Sequence, residues 1–154
     1  MSGAAVKRRA VLPPTYLFAA IVLMALFHFA LPGAKVITFP CGIVGALPFA
    51  LGIALNLTAD RQLKRHGTTV KPFEESSALI TDGVFRLTRH PMYLGFALIL
   101  LGLAVFAGTA TPFAVVVLFP LVMELAFVRT EERMLKEKFG DEWRRYRVRV
   151  RRWL

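Results

Sequence analysis

Four apolar blocks, residues 14–31, 36–57, 91–107 and 112–128, leave this 154-residue chain few ways to fold. They run 18, 22, 17 and 17 residues. A helix needs roughly 17–25 residues to cross the hydrocarbon of a bilayer, and inside it every backbone polar group must be satisfied internally. The blocks therefore predict an all-α integral membrane protein with four transmembrane helices. Their ionisable side chains are few: His28 and Glu124, besides Cys41 and the rim tyrosines Tyr16 and Tyr93. The chain is 56% hydrophobic, where soluble domains sit nearer roughly 45–50%.

Charge supplies the topology. The formal net charge is +10, and 19 of the 20 Lys and Arg residues fall on one side of the four blocks. Lys7, Arg8 and Arg9 precede the first block, six bases lie in residues 58–90, and ten follow residue 128. Lys35 alone lies on the opposite side. The excess of cytoplasmic Lys and Arg in membrane proteins puts both termini and the middle loop in the cytoplasm. The expected location is the inner or plasma membrane of a prokaryote. A nucleic-acid partner is not expected, because the bases follow topology and not one recognition element. The first block is long for a signal-peptide core, and Pro32-Gly33-Ala34 does not form an A-x-A cleavage site, so it reads as a retained helix. One cysteine allows no internal disulfide, and Cys41 reads as a packing residue.

One domain is expected, with residues 129–154 forming a cytoplasmic tail that completes the site. Gly42, Ala46, Ala50 and Ala54 form a small-residue stripe on the second helix, suited to close helix approach. Pro40 and Pro48 suggest a bent or interrupted span. Residues 108–111 are too few for anything but a tight antiparallel hairpin between the third and fourth helices. His28 is expected to bond a neighbouring helix. Residues 58–66 extend the second helix or lie at the surface; residues 67–77, with Pro72, are irregular; residues 79–85 make a turn between apolar segments. Pro91 favours a first helical position, which puts His90 at the N-cap. Residues 129–139 read as a separate polar helix capped by Thr130 and ended by Gly140. Beyond it, Trp143, Tyr146 and Val150 form an apolar stripe among arginines, expected to lie on an anionic membrane surface with its aromatics inserted.

Two polar clusters flank the hairpin. Arg89-His90-Pro91-Met92-Tyr93-Leu94-Gly95 opens the third helix, and Glu131-Glu132 follows the fourth. Antiparallel helices bring these ends together. The resulting pocket combines cations, carboxylates and an aromatic ring, which suits a zwitterionic ligand with a cationic centre. The helix N-terminus, Arg89 and His90 suit its carboxylate, and the glutamates its amino or hydroxyl groups. No metal ligands are assigned. Glu124, one turn inside the fourth helix, needs a partner or a wet cavity, with Arg129 or Arg89 within reach.

Together, Leu79-Ile80-Thr81-x-Gly83-x5-Arg89-His90-Pro91-Met92-Tyr93-Leu94-Gly95 and Glu131-Glu132-x-x-Leu135-x-x-x-Phe139-Gly140-x5-Tyr146 resemble the isoprenylcysteine carboxyl methyltransferase and phospholipid methyltransferase family. The resemblance covers residues 67–152. It implies an S-adenosylmethionine-dependent membrane methyltransferase with cofactor contacts at His90, Tyr93, Leu94, Gly95, Glu131 and Glu132. It further implies a lateral opening to the bilayer for a lipid-like acceptor, with small thiols or carboxylates as other candidates. Within that reading, Arg89 orients an anionic acceptor, Glu132 places the cofactor, and His90 is a candidate base. Eukaryotic members have more than four spans, and the N-terminal half matches no known pattern.

Rival readings remain beside it. Arg89 and His90 also suit headgroup anchoring, Glu131-Glu132 a solvated helix start, and Tyr93 and Trp143 an aromatic belt. A small four-helix transporter would need an ionisable group central to a span, and Glu124 lies near an end. A non-catalytic adaptor would use the basic tail alone. A membrane reductase is a further enzyme reading, although no G-x-G-x-x-G follows a strand.

Overall fold

A computed structural model describes residues 12–68 and 76–154; the basic N-terminal arm, Lys71 and Pro72 lie outside the described residues. The described residues form helices and no strand, with one isolated backbone bridge between Lys35 and Thr109. Helix α1 spans Pro13–Ala30 and opens on two prolines, whose fixed φ and missing N–H suit a first turn. Helix α2 spans Ala46–Arg65 after a 3-10 turn at Cys41–Gly45. Helix α3 is Pro91–Ala107, and α4 is Ala110–Met123. A π turn at Glu124–Val128 joins α4 to α5, Arg129–Arg149.

Three stretches are long and apolar enough to cross a bilayer: Pro13–Ala30, Cys41–Arg65, and the continuous helix that begins at Ala110. The apolar part of the last ends at Val128, and polar α5 lies beyond it. Helix α3 is shorter, at 17 residues. Phe18, Leu26, Leu47, Leu51, Val117, Leu118 and Leu121 are all exposed on these helices. So large an apolar surface faces lipid and not water. The chain is an integral membrane protein.

The second apolar block is only partly helical. Residues 36–40 do not join the helix, because the backbone at 34–37 serves the α3–α4 turn, while Cys41–Gly45 leads into α2 as a 3-10 turn. Val36 and Ile37 donate to the Gly108 carbonyl at 2.8 and 3.0 Å, and Ala110 donates to Ala34. His28 Nδ1 is hydrogen-bonded to Thr109 Oγ1 at 2.9 Å, so its partner is the hairpin turn and not a helix body. At the other end, α2 runs past its apolar block to Arg65.

Helices α2 and α3 make the most extensive pairing. The stripe that seats them is not Gly42, Ala46, Ala50 and Ala54, since the three alanines are exposed. It is Gly45, at the end of the 3-10 turn, and Gly52 on α2 against Gly102 and Gly95 on α3, each pair seven residues apart. A Cβ at Gly45 would lie 2.5 Å from the Gly102 carbonyl oxygen, and one at Gly52 would lie 2.5 Å from that of Gly95. Lipid tails give helices no hydrophobic reason to associate, so close backbone approach is what holds them. On the other side of α3, Phe96 and Leu100 pack with Met24 of α1 and Phe119 and Met123 of α4.

The tail departs most from expectation. Helix α4 passes into α5 through the π turn with no side-chain cap, so Thr130 starts no separate helix. Gly140, at φ 48° and ψ −112°, then breaks α5 and turns its second half over the loop before α3. Trp143, Tyr146 and Val150 are consequently buried, and Leu79, Phe85, Leu135 and Phe139 pack around them. Tyr146 donates to the Phe85 carbonyl at 2.7 Å. The apolar stripe faces protein and not membrane.

These contacts separate two stripes on one helix. Gly52→Ala should lower stability by about 1–3 kcal/mol, the cost of overpacking, although Ala is intrinsically the better helix former by about 1 kcal/mol. Ala50→Leu should stay within about 0.5 kcal/mol. Thermal unfolding in detergent compares them, and equal effects would reject the glycine seam.

Candidate functional site

The site forms where the start of α3, the start of α5 and the chain after α5 converge. Helix α3 begins at Pro91, and His90 is its N-cap residue in backbone position only. The imidazole makes no capping bond and turns instead to two carboxylates. Its Nε2 lies 3.3 Å from Glu132 Oε1 and its Nδ1 3.6 Å from Glu131 Oε2. One turn on, Tyr93 donates from its hydroxyl to Glu131 Oε1 at 2.5 Å. The rings of His90 and Tyr93 stack at 5.8 Å, and Tyr93 lies 6.1 Å from Phe127 of the π turn.

Glu132 is the hub. Arg89 donates to its Oε1 through Nε at 3.1 Å and Nη2 at 2.8 Å. Arg152 donates to Oε1 through Nε at 3.1 Å and to Oε2 through Nη2 at 2.6 Å. A third guanidinium nitrogen of Arg152 reaches Glu124 Oε1 at 3.0 Å, and exposed Arg129 reaches the same oxygen at 3.4 Å. Glu124 thus pairs with Arg129, as the sequence allows, but its other partner is Arg152 and not Arg89.

Arg89 is a clamp. Its Nη1 donates to the carbonyls of Arg147 and Val150 at 3.1 and 2.9 Å, and its guanidinium sits 5.6 Å from the Trp143 ring centre. The side chain is 7% exposed, which leaves little of it to meet an acceptor. Glu131 is different. It is 22% exposed, and among the described residues no Arg or Lys pairs with it. Three carboxylates, Glu124, Glu131 and Glu132, therefore share two inner guanidiniums and one imidazole.

Two expected contacts lie off this network. Leu94 is half-buried one position past Tyr93, its N–H spent on the His90 carbonyl. Gly95 faces α2, where the Asn56 side chain fills the space a Cβ would need. Asn56 donates to Gly52 at 2.9 Å, and its buried Oδ1 has no partner among the described residues. Sequence reasoning missed Arg152 and Thr88. Thr88 is fully buried and donates to the Arg152 carbonyl at 2.8 Å. Arg152 gave no signal, since it stands in an arginine-rich run beyond the last helical turn.

Burial works against the Glu132 carboxylate, but hydrogen bonds from His90, Arg152 and Arg89 hold it well below the usual carboxylate range. Burial likewise opposes a charged His90, yet Glu131 and Glu132 raise it above its ordinary value. The linked stabilities run oppositely. The Glu132 contribution is present above the ordinary carboxylate range and is lost as pH falls through its depressed value. The His90 contribution is full below the ordinary imidazole range and is lost as pH rises through its raised value. Glu132→Ala leaves buried Arg89 without its carboxylate and Arg152 with Glu124 alone, and should cost about 3–5 kcal/mol near neutral pH. Unfolding curves across pH should show the acid loss in the wild type and a flatter acid limb in the variant; parallel limbs would reject the hub.

Comparison with known proteins gives the family. The phospholipid methyltransferase family matches residues 40–142, two-thirds of the chain, including α2, α3, α4 and most of α5. An uncharacterized protein of Haemophilus influenzae is 44% identical over 63 residues, which is 41% of this chain and the whole of that protein. The protein-S-isoprenylcysteine O-methyltransferase of Schizosaccharomyces pombe is 39% identical over 75 residues, covering 47% of this chain and 30% of that enzyme's length. No solved structure matches. A helical membrane chain matched over two-thirds of its length in this way is a member of the phospholipid methyltransferase family.

Proposed function

We propose that the chain is an S-adenosylmethionine-dependent methyltransferase whose cofactor site is the cluster of His90, Tyr93, Leu94, Gly95, Glu131 and Glu132. Family membership supports a membrane methyltransferase, and Glu131 is the observation that carries the cofactor reading. It is a partly exposed carboxylate, oriented by Tyr93 and His90, that no Arg or Lys neutralises among the described residues. The donor set fits. Glu131 accepts from an ammonium group, and the stacked Tyr93 ring favours a nearby cation.

When bound, S-adenosylmethionine supplies a methyl group on a positively charged sulfur. The residues of the chain position the reactants and exclude water. Arg89 contributes by holding Glu132 and docking the tail, which places it behind the site and not against the acceptor. Glu132 sets the position of the cluster, and His90 acts as base toward a thiol or amine acceptor only in its neutral form, which Glu131 and Glu132 disfavour; a carboxylate acceptor needs no base. Gly95 contributes through the α2–α3 seam, and Leu94 through the apolar wall beside Tyr93.

In this reading α3 crosses the bilayer as the fourth span, both termini are cytoplasmic, and the whole chain is one membrane domain. The acceptor is lipid-like or a small thiol or carboxylate, reached from the bilayer. The transport reading gains nothing from Glu124, which is paired with two arginines at the helix end.

Calorimetric titration of the detergent-purified chain with S-adenosylmethionine tests the reading. Saturable binding is expected for the wild type, with a loss of about tenfold or more in Glu131→Gln, the worth of one charged hydrogen bond. A folded wild type that does not bind, or a variant that binds equally, overturns it.

A further inference from the structure

The chain beyond α5 enters the site along a fixed path. Helix α5 ends at Arg149, and Val150 is extended at φ −123° and ψ 128°. From there the backbone is held residue by residue to the loop before α3. Arg89 donates its N–H to the Arg151 carbonyl at 3.0 Å, and Thr88 donates its hydroxyl to the Arg152 carbonyl. The Arg89 guanidinium holds the Val150 carbonyl. Val150 is buried in the Trp143–Tyr146 cluster, and Trp153 packs against the main core. This strap gives the Arg152 side chain one direction in which to extend, toward Glu132.

The two oxygens of Glu132 are not held equally. Oε1 receives Arg89 twice, Arg152 Nε and His90. Among the described residues, Oε2 receives Arg152 Nη2 alone. Arg89 can therefore fix where one oxygen sits, but it does not set the plane of the carboxylate. A planar guanidinium that grips both oxygens does. Arg152 also links Glu132 to Glu124 across the π turn, which ties the end of α4 to the start of α5. The family match ends at residue 142, so Arg152 lies outside it.

We propose that Arg152 is a positioning residue of the site: from the C-terminal strap it sets the orientation of the Glu132 carboxylate and couples it to Glu124. Its effect on cofactor binding rests on the proposed function, whereas its hold on Glu132 does not. An arginine that merely anchored the C-terminus would alter stability and leave the Glu132 carboxylate as it was. Lysine at this position would keep the charge but lose the two-point grip.

The primary test needs no cofactor. Glutamate side-chain carboxyl carbons are labelled with 13C in the full chain in detergent, and the Glu132 signal is assigned by its absence in Glu132→Gln. Its titration is then followed in wild type, Arg152→Gln, Arg152→Lys and Arg144→Gln. Arg144 lies exposed on α5 and among the described residues pairs only with Asp141, so it controls for loss of one charge. The groups facing Glu132 are Arg89 and His90 from the loop, Arg152 from the strap, Glu131 beside it on α5, and Glu124 at the π turn. Arg152→Gln should move the Glu132 titration upward toward the ordinary carboxylate range, Arg152→Lys should move it less, and Arg144→Gln should leave it unchanged. An unmoved Glu132 in folded Arg152→Gln overturns the proposal, as does an equal shift in Arg144→Gln.

A second arm reads the consequence. S-adenosylmethionine binding should weaken about tenfold or more in Arg152→Gln and recover only in part in Arg152→Lys. If Arg152→Gln shows the carboxylate shift but binds as well as wild type, the coupling to the site is rejected. If the wild type itself does not bind, the cofactor reading fails while the carboxylate titration still decides the role of Arg152.

Discussion

One carboxylate, Glu132, draws together three segments that are remote in the chain. Arg89 and His90 come from the loop before α3, Glu132 from the first turn of α5, and Arg152 from the strap after it. A largely buried charge is costly unless it is matched and hydrogen-bonded, so these groups are mutually dependent. The match does more than neutralise. It docks the tail on the loop, puts Arg89 over Trp143, and leaves Glu131 as the carboxylate of the cluster that meets no guanidinium among the described residues.

The helices below supply the frame that makes this convergence repeatable. Carbonyl-to-glycine contacts at Gly45–Gly102 and Gly52–Gly95 seat α3 on α2 at a fixed depth. At the far end, His28 and the backbone of Val36 and Ile37 secure the α3–α4 turn. With both ends of α3 defined, Pro91 sets where the helix begins, and His90 and Tyr93 follow. The π turn at Glu124–Val128 places Phe127 behind Tyr93 while letting α4 continue into α5. Such turns inside helices often mark functional positions, and this one separates lipid-facing helix from charged helix.

A site of this kind suits chemistry that asks for placement more than for strong acids or bases. Its carboxylates and arginines are mostly committed to one another, which makes them rigid. The open capacity lies at Glu131 and at Arg152, whose side chain is 32% exposed. Membership in a methyltransferase family fits that economy, because methyl transfer depends chiefly on alignment and the exclusion of water.

Much of this was legible in the residues. Three of the four apolar blocks become helices almost end to end because the bilayer demands internally satisfied backbone, the block at 36–57 only from residue 41, and a four-residue link allows only a hairpin. Those two facts bring Arg89, His90 and Tyr93 to Glu131 and Glu132, and the structure places them together. What was not legible shares one cause: periodicity tells which face of a helix is special, and never what that face meets. Trp143, Tyr146 and Val150 form a stripe equally suited to lipid or protein, and only the break at Gly140 turns it inward. The alanines of α2 are as regularly spaced as its glycines, yet only the glycines meet another backbone. Arg152 follows the last helical turn, where no period applies, so its place was set by hydrogen bonds to Thr88 and Arg89. The sequence by itself determined the helical membrane character and the meeting of Arg89, His90 and Tyr93 with Glu131 and Glu132, through hydrophobic length and chain connectivity. Only the tertiary structure decided which arginine holds which carboxylate, since that depends on where side chains from separate segments meet.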